Sequence, residues 1–123
     1  MIRPSKKELF RKLRDAKEAV KKGNIFLIDQ DVIAEDAIEL GYDIKNELLE
    51  VLEEILNDTS MKQYAGSRPP QKSYERDIEG LELFPFVVES SRFKRNIYFK
   101  FALAECSFWL VSLHEDRPIK EEK

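Results

Sequence analysis

The chain has one cysteine, Cys106, and one histidine, His114. A lone cysteine closes no internal disulfide, and without a Cys-rich or His-rich neighbourhood a structural zinc site is not expected. No apolar run approaches the roughly 18 residues that a membrane span needs. The N-terminal stretch Ile2-Arg3-Pro4-Ser5-Lys6-Lys7 leads into a charged segment and not into a signal-peptide core. A cytoplasmic protein is therefore expected, with no membrane partner. Internal repeats and low-complexity tracts are missing as well. What is present is 123 residues, 42% of them hydrophobic, which argues against disorder and suits one domain with one core.

Charged residues make up 37% of the chain, and the net charge of -3 conceals how they are arranged. Residues 1–22 hold nine Lys/Arg against three Asp/Glu, a balance of +6, whereas residues 29–58 hold one Lys against eleven acids, a balance of -10. Residues 59–123 are nearly even, eleven against ten. The basic segment could lie along phosphates or pair with the acidic middle, and the sequence leaves both open.

Ser5 with Glu8 three residues on forms a capping-box signal, and Leu9, Leu13, Ala16 and Val20 follow at helical spacing until Gly23, so a helix is predicted over 5–22. Asn24 to Ile28 is a short β-prone run. Asp29 or Asp31 can cap a second helix over 31–40 that stops at Gly41, and Asp43 caps a third over 44–57 with a broad apolar face. Thr59 to Gly80 has no periodicity and reads as a long loop, a length usually tied to function or disorder. From Glu82 the pattern becomes β, in three runs: Leu83–Glu89, Arg95–Leu103 and Ser107–His114. Pro85 makes the first an edge strand or a bulge. Three helices before a three-stranded antiparallel sheet predict an α+β domain spanning the whole chain.

Strand alternation limits how the last two strands can pair. Ile97, Phe99, Phe101 and Leu103 share one face, with Tyr98, Lys100 and Ala102 on the other. In the last strand Trp109, Val111 and Leu113 oppose Phe108, Leu110, Ser112 and His114. Joining the two most apolar sets requires an odd register, as a three-residue loop at Ala104-Glu105-Cys106 would give. Tyr98 then faces Ser112, His114 lies diagonally beside Tyr98, and Trp109 belongs to the core. A phenol, an imidazole and the Lys100 ammonium gather on the less apolar face. Such a trio suits RNA cleavage through attack of a 2′-hydroxyl on the adjacent phosphate, which needs a base, an acid and positive charge. One His, one Tyr and one Lys on a strand face are equally what an ordinary half-exposed sheet surface carries.

The order of several segments adds a second line of argument. Lys21-Lys22-Gly23-Asn24-Ile25, then Ala34-Glu35-Asp36-Ala37-Ile38-Glu39-Leu40-Gly41-Tyr42-Asp43, Met61-Lys62-Gln63-Tyr64, Asn96-Ile97-Tyr98-Phe99-Lys100-Phe101 and Val111-Ser112-Leu113-His114-Glu115 succeed one another. In that order the chain resembles the MqsR (motility quorum-sensing regulator) toxins, within the RelE-like group, over about residues 15–117. The resemblance implies a type II toxin: a small endoribonuclease that cleaves messenger RNA and is held inactive by an antitoxin protein, with the ribosome as a further partner to be considered. It implies no metal or organic cofactor. Its functional residues fall on Lys62, Tyr98 and His114 as the catalytic set, His114 standing where the family often has Lys. Where the family often shows Trp-Gln-Asp-Val-Tyr-Arg-Pro, the chain reads Phe84-Pro85-Phe86-Val87-Val88-Glu89-Ser90, without the glutamine, and the loop before the sheet is longer. Lys100, Arg92, Arg95 and Arg117 are the cations assigned to RNA. The alternative is a catalytically inactive interaction module whose acidic middle binds a basic partner. DNA binding through a helix is disfavoured because helix 44–57, which would have to enter the groove, is acidic.

Overall fold

The computed structural model describes residues 2–116. In chain order its elements are helix α1 (Lys6–Lys21), strand β1 (Ile25–Leu27), helices α2 (Gln30–Leu40) and α3 (Ile44–Asp58), and strands β2 (Phe84–Ser90), β3 (Arg95–Ala104) and β4 (Ser107–Glu115). Local chemistry accounts for the helix ends. The Ser5 hydroxyl accepts the Glu8 amide at 3.0 Å, and the Asp43 carboxylate accepts the Lys45 amide at 3.1 Å. Gly41, at φ 87°, takes the left-handed position that stops α2. Asp29 sits at the N-cap of α2 but makes no side-chain cap bond, and Asp31 lies inside the helix.

The α+β class is as expected, but the sheet is larger than the three antiparallel strands predicted. It has four strands in the order β1-β4-β3-β2, and β1 pairs parallel with β4. The Asn24 carbonyl accepts the Phe108 amide at 2.8 Å, and the Ile28 amide donates to the Leu110 carbonyl at 2.9 Å. A parallel neighbour far along the chain leaves no turn signal between the two strands, so the β-prone run could be read but not its place. Strand β2 forms the opposite edge, where Pro85 has no amide to contribute.

The β3–β4 hairpin departs from the three-residue loop. Ala104 pairs with Ser107 across a two-residue turn, with Glu105 in the left-handed region at φ 57°. The register then shifts: Phe101 lies opposite Leu110, while Lys100 lies opposite Ser112, so Val111 is the extra residue of a bulge. A bulge resets the alternation. Phe108 and Leu110 on one side of it and Leu113 on the other all become buried on the helix-covered face. Trp109 and Val111 are thereby turned to the outer face, which corrects the expectation that they share the main core with Leu113.

The main core lies between the helices and one face of the sheet. Helix α1 contributes Leu9, Leu13, Ala16 and Val20, and α3 contributes Val51, Leu52, Ile55 and Leu56, all buried. They meet Phe84, Phe86, Ile97, Phe99, Phe101 and Phe108, each at most 1% exposed. On the outer face a smaller cluster forms where the long loop folds back. Ile78, Leu83, Ile28 and Ala102 are buried there, with Trp109 and Val111 packed alongside. The loop is thus partly structured: it pairs Lys72 with Glu82, and the Leu83 amide bonds the Gln71 carbonyl at 2.8 Å. Arg3 forms ion pairs with Glu82 and Glu8, joining the N-terminal segment to the end of this loop.

Candidate active site and recess on the outer sheet face

At the other end of the outer face, Tyr98 of β3 lies directly opposite His114 of β4, and not diagonal to it. Their rings stack with centroids 5.2 Å apart and planes 19° from parallel. Both the two-residue turn and the bulge at Val111 are needed for this pairing. Lys100, two residues along β3 on the same face, is flanked by Pro85 of β2 and Ser112 of β4. Alternation along β3, together with the bulge in β4, thus places a phenol, an imidazole and an ammonium on one face.

His114 Nδ1 lies 2.8 Å from the Glu115 carbonyl oxygen. A carbonyl only accepts, so in the neutral ring the proton sits on Nδ1 and Nε2 presents its lone pair. Tyr98 is half-buried, and that burial, followed by the nearby Asp116 carboxylate, pushes its phenol up from the ordinary tyrosine value. Both effects disfavour phenolate, so Tyr98 is held as a proton donor at neutral pH. Neither the phenol nor the Lys100 ammonium has a hydrogen-bond or ion-pair partner among the described residues.

Beside Tyr98 and Lys100 the sheet face and the loop enclose a recess of about 160 Å³, lined by Ala65, Gly66, Ser67, Gln71, Leu83 and Pro85 as well. Its rim is fixed by local bonds. The Tyr64 hydroxyl donates to the Ser67 carbonyl at 2.6 Å, the Ser67 hydroxyl donates to the Pro69 carbonyl at 2.8 Å, and the Ala65 amide donates to the Pro85 carbonyl at 2.8 Å. The Arg68 guanidinium lies 5.3 Å over the Tyr64 ring and donates to the Pro4 carbonyl. Gly66 is needed for this closure, because a Cβ there would come within 2.5 Å of the Tyr64 hydroxyl and 2.7 Å of the Pro85 ring.

The remaining candidates are elsewhere. Lys62 is exposed on the single-turn 3-10 helix Met61–Gln63; Tyr64 just after it bridges to Phe86, so β2 stands between this turn and β3, and Lys62 does not line the recess. Arg92 is engaged on the helix side, with ion pairs of 3.0, 3.1 and 3.1 Å to Glu47, Glu50 and Glu54 of α3. Three of its N–H donors are engaged there, and it fastens the β2–β3 turn to α3. Arg95 alternates onto the face opposite Tyr98 and pairs with Glu115 at 3.5 Å. Arg117 lies outside the described residues. Conversely, sequence reasoning did not find Gln71, Gly66 or Leu83. The length of the loop pointed to the segment, but no pattern within it marked which residues would turn toward β3.

Two larger grooves, of about 300 and 280 Å³, run along α1, one against α3 and one against the turn that follows it, and contain none of the candidate residues. Among the described residues no three His, Cys, Asp or Glu side chains are gathered so as to hold a metal ion. No described helix is long and apolar enough to cross a membrane. Compared with known families and with curated proteins, the chain matches no family model and no curated protein.

Proposed function

We propose that the protein is the toxin of a type II toxin-antitoxin system, an endoribonuclease that cuts messenger RNA without a metal and is restrained by an antitoxin. The observation that carries this reading is the direct Tyr98–His114 pair beside Lys100 on the outer sheet face. The ordered resemblance to the MqsR toxins and the RelE-like group supports it. In the proposed reaction His114 Nε2 takes the proton of the 2′-hydroxyl, and the freed oxygen attacks the adjacent phosphorus. Lys100 offsets charge on the phosphorane. The P–O5′ bond then breaks as Tyr98 gives its proton to the leaving oxygen, leaving a 2′,3′-cyclic phosphate and a 5′-hydroxyl. Proton return from the imidazolium to the phenolate restores both groups. Lys62 would assist only through RNA that extends past the edge of β2.

The test uses purified protein free of any antitoxin, with RNA alone and with translating ribosomes. Cleavage to 2′,3′-cyclic ends is expected, together with slowed growth on expression. His114→Ala and Tyr98→Phe should each lower the rate by roughly 10²- to 10⁴-fold with melting little changed. Absence of cleavage in both settings, with no effect on growth, would sink the reading. The alternative of an inactive module that binds a basic partner through its acidic middle predicts tight association and no effect of His114→Ala. Part of its basis is already consumed inside the fold, since Arg92 engages three carboxylates of α3 and Ser91 engages Asp58.

A further inference from the structure

The recess beside Tyr98 has a composition that discriminates among ligands. Its volume of about 160 Å³ is several times the ~30 Å³ share of one water molecule, and below the roughly 300 Å³ at which drug-sized sites begin. It suits one ring-sized group. Leu83 and Pro85 line it but are themselves buried, so the surface it presents is mainly polar and suits a group with several hydrogen-bonding atoms. An anion is poorly served, because Lys100 is its one cation and two nearby donors are already spent: the Ser67 hydroxyl on Pro69 and the Ala65 amide on Pro85. Ser67 therefore offers only lone pairs, which oppose a phosphate. Apart from Tyr98, which the cleavage step uses, Gln71 is the lining residue whose side chain can both donate and accept with no internal partner among the described residues. A carboxamide of this kind can pair bidentately with the edge of a base. Its backbone is fixed, since the Gln71 carbonyl accepts the Leu83 amide at 2.8 Å.

We infer that this recess receives a single nucleobase of the RNA strand next to the scissile phosphate, and that Gln71 reads its edge and so sets a base preference for cleavage. The inference rests on the proposed cleavage site for where the strand lies. Lys100, at the border between the recess and the trio, holds the phosphate and not the base.

Binding separates this inference from the activity. The probes are hexanucleotides 2′-O-methylated throughout so that they cannot be cut, each position varied in turn through the four bases, with affinity read by fluorescence anisotropy. At one position the best and worst bases should differ by roughly 5- to 150-fold in the unaltered protein, and Gln71→Ala should reduce that spread to under about threefold. Lys100→Ala should weaken all probes about equally and leave the ranking intact. Gln71→Met keeps the side-chain length and removes both polar atoms, and it should flatten the ranking too; it covers a collapse of the recess in the Ala variant. No binding, no base discrimination, or a ranking unchanged in both Gln71 variants would overturn the inference. Unmethylated probes run in parallel report cleavage: a ranking that depends on Gln71 without any cutting would leave the recess standing and bring down the ribonuclease reading.

Discussion

The two faces of the sheet are built from the same strands yet follow different rules. The helix side is apolar and closed, with Phe86, Phe99, Phe101 and Phe108 all fully buried, and rings stacked at centroid distances of 5.0 to 6.0 Å. The outer side is packed at one end, where Ile78 and Leu83 meet Ala102, while at the other Tyr98, Lys100 and His114 stand half-buried. Burial on the first face stabilises the fold, and its absence at the end of the second leaves polar groups available for chemistry. Alternation along β3 separates the two faces residue by residue: Phe99 and Phe101 are buried in the core, while Tyr98 and Lys100 lie on the outer side.

Substitutions on the two faces should therefore differ in kind. The largest stability loss is expected from Phe101→Ala, about 3 to 5 kcal/mol in denaturant unfolding, because a fully enclosed ring leaves a cavity. Trp109→Ala on the outer face should cost clearly less, since Trp109 is half-buried and stacks on Phe26, which is itself 45% exposed. Equal losses at the two positions would break the comparison. Gly66→Ala tests the loop-built wall. Its methyl must displace Tyr64 or Pro85, so a loss of about 1 to 3 kcal/mol is expected, together with weaker oligonucleotide binding.

Arg92→Ala should lower stability by about 1 kcal/mol, a difference that shrinks in 1 M salt, because its three carboxylate partners are partly exposed. RNA binding should be unchanged if the cation serves only the helix side; a large loss of RNA affinity would restore Arg92 to the interface. The smallest effect is expected at Tyr42 on the helix side. Its buried hydroxyl has no hydrogen-bond partner among the described residues, so Tyr42→Phe should be neutral or stabilising by up to about 1 kcal/mol. Burial pushes this phenol up to about 12, with Asp36 adding to the effect. Between about pH 10, where an exposed tyrosine ionises, and pH 12 the unfolded chain loses a proton that the folded chain keeps. Stability should fall with rising pH over that window, and Tyr42→Phe should remove the part of the fall due to this group.

Much of this was legible in the residues and some was not. Helix boundaries could be read within a residue or two because capping and stop signals are local: Ser5, Asp43 and Gly41 act on their own neighbours. That Tyr98 and Lys100 share one side of β3 was legible because strand alternation is local too. The register was not. A three-residue loop and a two-residue turn with a bulge both bring apolar residues together, but they send Phe108, Trp109 and Leu110 to opposite faces. Choosing between them depends on what covers each face. The fate of Arg92 illustrates the same limit, since nothing near it in sequence announces the α3 carboxylates that hold it.

By itself, then, the sequence determined the helices, the strand-forming runs and the alternation that places Tyr98 and Lys100 on one side of β3, all consequences of interactions among near neighbours. The tertiary structure decided the parallel placement of β1, the bulge that sets His114 directly against Tyr98, the diversion of Arg92 to α3 and the folding of the 59–80 loop into a wall with Gln71 in it. These are decided by which surfaces must be buried together, and such contacts join residues far apart in the chain, where no local pattern records them.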